Sequence, residues 1–268
     1  MKRVWLILAF CLCLLSPSGA TQVFFPVTPQ VFWTPLNGSN LNVWWDAQNT
    51  SKFVLSGSNV TSWTDSSANA VVATGVASPV YTTHIIHGES VVAFNGSSQY
   101  FTSTLSASAV PFTTVAVIQV DNSGFVRTIT GASVNGGFEF RVSTTNTLVL
   151  NLQQTTLVCT STGTITTSVP AVVSVSFDGT NCSFTINGSA AGSSTNTQTA
   201  TSSTIRIGAN TFGSDYFYQY MGDIIQFGAI STSELNKSIG YLAWKYGLQG
   251  SLPGTFPYAA RPPYVNDP

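Results

Sequence analysis

Between about residues 41 and 228, short runs rich in Val, Ile, Thr, Phe and Tyr alternate with clusters of Gly, Asn, Asp and Ser. Alternation is explicit at 172–177, where Val173, Val175 and Phe177 fall on one face, and at 182–187, where Cys182, Phe184 and Ile186 do. Asp178, Gly179 and Thr180 lie between the two runs, and Asp-Gly flanked by alternating apolar residues predicts a β-hairpin. Further strands are predicted at 91–94, 100–102, 113–120, 127–130, 138–143, 147–152, 204–207 and 221–227. Many short strands with no helices between them predict an all-β fold, a two-sheet antiparallel sandwich.

One segment departs from that pattern. Ser231 followed by Glu234 forms a capping box, and Leu235, Ile239, Leu242 and Tyr246 then recur at helical spacing, so one helix over 231–247 is expected to lie on the sandwich. Gly247 suits its C-terminal cap. Residues 249–268 are rich in proline and are expected to run extended along the domain or to hang free. Residues 21–40, with Pro26, Pro29 and Pro35, read as an extended lead-in, leaving 41–248 as the folded domain.

The first twenty residues have a separate logic. Lys2 and Arg3 precede an apolar run at 4–15 and the small residues Ser18, Gly19 and Ala20, the pattern of a signal peptide cleaved after Ala20. A dozen apolar residues fall short of the roughly 20 that span a bilayer as a helix, and no later segment is more apolar, so no membrane span is expected in the mature chain. The expected product is secreted, periplasmic or displayed at the cell surface. Cys159 and Cys182 are the two cysteines left to it. In an oxidising compartment they are expected to form a disulfide between neighbouring strands, the alternative being two buried thiols.

Composition narrows the partners. The chain is 43% hydrophobic but only 7% charged, which excludes charge-driven disorder. Its formal net charge is −1 and no Lys/Arg cluster exists, so nucleic acid is not an expected partner.

Several stretches, taken in order, resemble one family. Leu41 to Ala47 is similar to an opening strand in which an aromatic precedes Asp-Ala. Val60 to Asn69 resembles a W-x-D-x-S-G-N turn, and Val91 to Tyr100 a V-x-F-x-G-S-x-x-Y strand pair. Ser174 to Gly188 matches a hairpin ending in Ile-Asn-Gly, and Ile205 to Asn210 an Arg-Ile-Gly-Ala-Asn strand. Together they resemble the concanavalin A-like lectin/glucanase superfamily, in particular laminin G-like jelly-roll domains of bacterial secreted and phage tail-type proteins. The resemblance implies a jelly-roll sandwich that binds a glycan or glycoprotein. A structural or adhesive part of a virion tail or surface appendage, with homo-oligomers, is the alternative. Some relatives hold calcium near the second motif, so Asp46, Asp65 and Asn69 are candidate ligands. The competing role for Asp65, with Ser67, is to cap the turn through the backbone. Ala68 and Ala70 replace family glycines, and alanine resists positive φ.

The superfamily includes glycoside hydrolases, which place two carboxyl groups about 5–5.5 Å apart when retaining. On a strand that calls for acids at i and i+2 or i+4, and Glu89, Glu139 and Glu234 have no such neighbour. His84 and His87 bracket a polar turn and point to opposite faces if extended. No catalytic residue is assigned. Binding is better supplied: sugars stack their C–H faces on aromatic rings and bond their hydroxyls to amides and carboxylates. Tyr216, Tyr218 and Tyr220 share a face if extended, with Gln219 between them; the run is either a platform or an ordinary strand at a sheet rim. Trp44 is a further candidate, on the face opposite Trp45.

Overall fold

A computed structural model describes residues 30–106, 110–121, 124–132, 137–152, 158–196, 204–210 and 212–268. The candidate signal peptide and the first part of the lead-in lie outside the described residues. Val31 to Pro268 form one folded unit.

The strands make two antiparallel layers. The first contains β5 (Val80–Ile86), β6 (Glu89–Asn95) and β1 (Leu41–Trp45) along one edge of β17 (Tyr218–Phe227). Beyond β17 follow β8 (Phe112–Val120), β13 (Ala171–Phe177), β14 (Asn181–Ile186) and β15 (Ser189–Thr195). The second layer runs β2 (Phe53–Ser56), β3 (Asn59–Thr64), β4 (Val72–Val76), β7 (Tyr100–Ser106), β16 (Thr204–Ile207), β9 (Arg127–Ala132), β10 (Phe138–Val142), β11 (Thr147–Leu152) and β12 (Val158–Thr164). Among the described strands one β-bridge, Asn59 to Val80, pairs the two layers, and at another edge β12 lies against β15, with Thr162 Oγ1 donating to the Ala191 carbonyl at 3.3 Å. The fold is the expected jelly-roll sandwich. Its β13–β14 hairpin pairs Phe177 with Cys182 across the Asp-Gly turn.

Two cores follow from the alternation. Trp45, Trp63, Phe101, Phe140, Val173 and Ile224 fill the space between the layers. The other face of the first layer is covered by α1 (Thr232–Lys245), whose Ile239 and Leu242, with Tyr246 at its C-cap, pack on Val115, Val117, Ile225 and Phe227. β8 is thus buried on both sides, which is why it reads as an almost continuous apolar run. Each fully buried side chain of this kind contributes roughly 1.5–3 kcal/mol. Ser231 accepts the Glu234 N–H at 3.1 Å, completing the capping box, and Gly247 adopts φ +67 just past the helix end. Glu234 also accepts the Ser39 N–H at 2.6 Å, so one carboxylate fixes both the helix start and the lead-in. At Gly222 a Cβ would lie 2.6 Å from the Tyr246 ring, so this position lets helix and sheet approach.

The proline-rich C-terminal segment packs rather than hangs. Leu252, Phe256 and Tyr258 join the helix-side core, the Trp33 N–H bonds the Pro263 carbonyl at 3.0 Å, and Phe32 stacks on Tyr264. The disulfide joins Cys159 on β12 to Cys182 on β14, with Cα atoms 6.2 Å apart. The sequence reading placed it between neighbouring strands. Both cysteines instead point into the space between the layers, so the bond crosses from one sheet to the other.

Candidate functional site

The turn after β6, the loop after β8 and the segment leading into β17 enclose a cleft of about 550 Å³. Asn95 shapes the first wall: its Oδ1 accepts the N–H groups of Ser97, Ser98 and Gln99 at 3.0–3.2 Å. Gly96 sits at φ +70, and a Cβ there would strike Tyr218 at 2.9 Å, so glycine lets the Tyr218 side chain lie against the turn. Asn210 shapes the opposite wall, accepting the Ser214 N–H at 3.0 Å and donating to Asp215 Oδ2 at 3.0 Å. Between the walls Phe217 is buried against Phe94, with ring centroids 5.8 Å apart. With Phe217 pointing in, Tyr216 and Tyr218 point out and line the cleft. Phe125, 72% exposed, lines it from the β8–β9 loop.

Ionic pairs adjoin the cleft through Arg127 and Asp215, which line it. Arg127 is fully buried and donates to the carboxylate of Asp121 at 3.1 Å and to Asn146 Oδ1 at 3.3 Å. Arg141 Nη1 reaches Glu139 at 3.2 Å and Asp215 at 3.5 Å, so two acids from distant parts of the chain share one guanidinium. Burial pushes the Glu139 carboxyl above its ordinary value, while Arg141 and the Thr128 hydroxyl pull it down. A raised carboxyl beside a second carboxylate is a pattern that acid–base chemistry uses. Here both Glu139 oxygens are engaged, Oε1 with the Thr128 hydroxyl at 2.6 Å and Oε2 with Arg141, and the residue is 2% exposed.

The tyrosine run divides. Tyr216 and Tyr218 reach the cleft, whereas Tyr220 packs on the helix-side core. Between Tyr218 and Tyr220 the extended backbone is broken at Gln219, whose φ is +87. Gln219 does not line the cleft. Trp44 requires correction as a platform: it is 6% exposed under the helix, its Nε1 donates to Asp223 at 2.8 Å, and the Lys245 ammonium lies 5.1 Å from its ring centroid. A face opposite Trp45 proved to be a covered face, because α1 lies on it.

The proposed calcium ligands do not fit that ion. Asp65 is fully buried; its Oδ1 accepts the Ser67 N–H at 2.5 Å and its Oδ2 accepts the Val71 N–H. That pinning holds Ala70 at φ +48 despite its side chain. Asp46 faces Lys245 at 2.6 Å, and Asn69 donates to the Asn42 carbonyl at 2.7 Å. Calcium wants six to eight oxygens on one centre, and these three point to three different partners. Among the described residues, no group of three or more His, Cys, Asp or Glu is placed to hold a metal. His84 and His87 flank the β5–β6 turn, with His87 Nδ1 2.8 Å from the Gly247 carbonyl oxygen.

A second buried ionic cluster lies under the helix. Lys245 bridges Asp46 and Asp223, at 2.6 and 2.7 Å, while Tyr246 Oη donates to Asp223 at 2.6 Å. Burial, then Asp223, push the Asp46 carboxyl up. Burial opposes the Lys245 charge, yet Asp223, Tyr241 and Asp46 together hold its pKa above the ordinary value. A concavity of about 300 Å³ between Trp33 and Trp244 reaches this lysine.

Phe125 and Asp215 escaped the sequence reading. Their signals were an isolated ring in a Gly/Ser/Asn turn and an acid immediately before the tyrosine run.

No family model and no curated protein matches this chain. Solved structures do. A botulinum neurotoxin type C structure concerned with interaction with two ganglioside molecules aligns with a TM-score of 0.56 at 12% identity, over 77% of this chain and 52% of its own. The binding domain of botulinum neurotoxin DC, in complex with rat synaptotagmin II, gives 0.54 at 12% identity, over 79% and 52%. Domain 4 of AbnA, a GH43 extracellular arabinanase from Geobacillus stearothermophilus in complex with arabinotriose, gives 0.55 at 15% identity, over 74% of this chain and 97% of that one. The chain therefore spans about half of the toxin chains and nearly all of the arabinanase domain. At such identities the likeness is one of fold, and the class it defines is the jelly-roll β-sandwich. Among the described residues no helix is long and apolar enough to cross a membrane.

Proposed function

We propose that this protein is an exported carbohydrate-binding module of the concanavalin A-like type, which receives a glycan, free or on a glycoprotein, in the cleft lined by Tyr216 and Tyr218 and performs no chemistry on it. One observation carries the reading: three rings, the exposed Tyr218 and Phe125 and the half-buried Tyr216, line a cleft of about 550 Å³ beside hydroxyl and carboxylate groups. Rings for C–H faces and polar atoms for hydroxyls are the two things a sugar site needs. Neighbours of the same fold support it, since their structures concern gangliosides and arabinotriose. The three acids near the cleft are held by arginines, Asp121 by Arg127 and Glu139 and Asp215 by Arg141, which favours binding over hydrolysis. The disulfide fits an oxidising, extra-cytoplasmic destination.

The test is a glycan array followed by calorimetry on the best hit. Tyr218→Ala should weaken that hit about tenfold or more while leaving the folding transition nearly unchanged, because Tyr218 is 41% exposed. An array blank at high protein concentration, or a hit indifferent to Tyr216, Tyr218 and Phe125, ends this assignment.

A further inference from the structure

We infer that the cleft selects neutral glycans over sialylated or uronic ones, an inference that rests on reading it as a glycan site. The reason lies in which charges the cleft shows to solvent. Among the described residues two charged side chains line it, Arg127 and Asp215. The Arg127 side chain is 1% exposed, with Nε on the Asp121 carboxylate and Nη2 on the Asp121 carbonyl at 2.9 Å, so it presents no open cation. The Asp215 side chain is 28% exposed. Its Oδ2 takes Asn210 and Arg141, while its Oδ1 accepts no hydrogen bond among the described residues.

The nearby cations do not change the sign. Arg141 is already divided between Glu139 and Asp215. Arg206 lies over the Tyr100 ring, 5.2 Å from its centroid, and donates to the Asn210 carbonyl at 2.8 Å. Tyr100 in turn contacts Tyr216, with centroids 6.2 Å apart, so this guanidinium stands behind the ring pair rather than in the cleft. None of the other lysines and arginines among the described residues lines it. A ligand carboxylate seated among the rings would therefore meet a carboxylate with no free cation among the described lining residues to offset the repulsion. A sugar hydroxyl at the same place donates to Asp215 Oδ1 instead, and a charged acceptor makes that bond stronger than a neutral one.

The experiment compares neutral oligosaccharides with the same oligosaccharides carrying a terminal sialic acid or a uronic acid, by calorimetry on the unaltered protein. Each neutral member should bind about tenfold or more tightly than its acidic counterpart. That gap should shrink between about 0.02 and 0.5 M NaCl, because salt screens the repulsion. Asp215→Asn should bring the two members of a pair to within about threefold; should that variant fail to fold, the salt series decides. Acidic glycans binding as well as or better than neutral ones, with affinity that falls as salt rises, would overturn the neutral selection while leaving the glycan site in place. Binding of neither set removes the site itself.

Discussion

The two ionic clusters of this protein are built from nearly the same parts. In each, two carboxylates from distant positions share one cation beside aromatic rings: Asp46 and Asp223 on Lys245, and Glu139 and Asp215 on Arg141. They differ in cover. The first lies beneath α1, with Asp223 fully buried and bonded to Trp44, Ala47, Tyr246 and Lys245. The second carries one exposed carboxylate into an open cleft. Under a helix such a cluster clamps secondary structure, because each unsatisfied member would be costly. At a cleft the same parts leave an oxygen and two rings for a partner.

The sharpest way to break this contrast is to remove one acid from each cluster. Asp223→Ala leaves the Trp44 indole N–H, the Ala47 N–H and the Tyr246 phenol without their buried acceptor and Lys245 on Asp46 alone, and chemical denaturation should show a loss of about 3–5 kcal/mol. Asp215→Ala leaves Arg141 still paired with Glu139 and should cost about 1 kcal/mol or less. Equal losses would mean that cover does not distinguish the two sites.

Rings give the second comparison. Trp44→Ala empties a buried site and should cost about 3–5 kcal/mol. Tyr218→Ala should change stability by about 0.5 kcal/mol or less. If Tyr218 proves the more destabilising, the cleft is a packing feature and not a docking one.

The smallest expected effect is in pH. The folded carboxyl of Glu139 sits above the ordinary value of 4.5, so as pH rises through and above 4.5 the unfolded chain releases its proton before the folded chain does. The unfolded state then binds fewer protons, and this residue's contribution to stability falls as pH rises towards its folded pKa. Melting temperatures of Glu139→Gln across that window should lack this slope. The Lys245 cluster has the same sign at the alkaline end: its contribution is whole below the unfolded value of 10.5 and is lost as pH rises through the higher folded one. An unchanged slope in Glu139→Gln would place the titration on Asp46, whose carboxyl is also raised.

Legibility in the sequence followed the range of the interaction that sets each feature. The hairpin at β13–β14 and the capped helix are local, and Val173, Val175, Phe177, Ser231 and Glu234 announced them. The turn at Asp65 was legible too, since an aspartate bonding backbone two residues on is a local device. The tyrosine run was half legible. Alternation placed Tyr216 and Tyr218 outward, but the break at Gln219 and the cover over Tyr220 arise from strands and a helix far away in the chain.

What the sequence determined alone was the alternation of faces, the turns between strands and the stripe on one helix, because each depends on neighbours within a few residues. Tertiary structure decided which of those faces is covered. Trp44 and Tyr218 are both aromatic residues on outward faces of the first layer, and only the docking of α1 makes one a buried hydrogen-bond donor and leaves the other in solvent. It also decided which acids meet, since a shared guanidinium joins residues whose separation along the chain carries no signal of their contact.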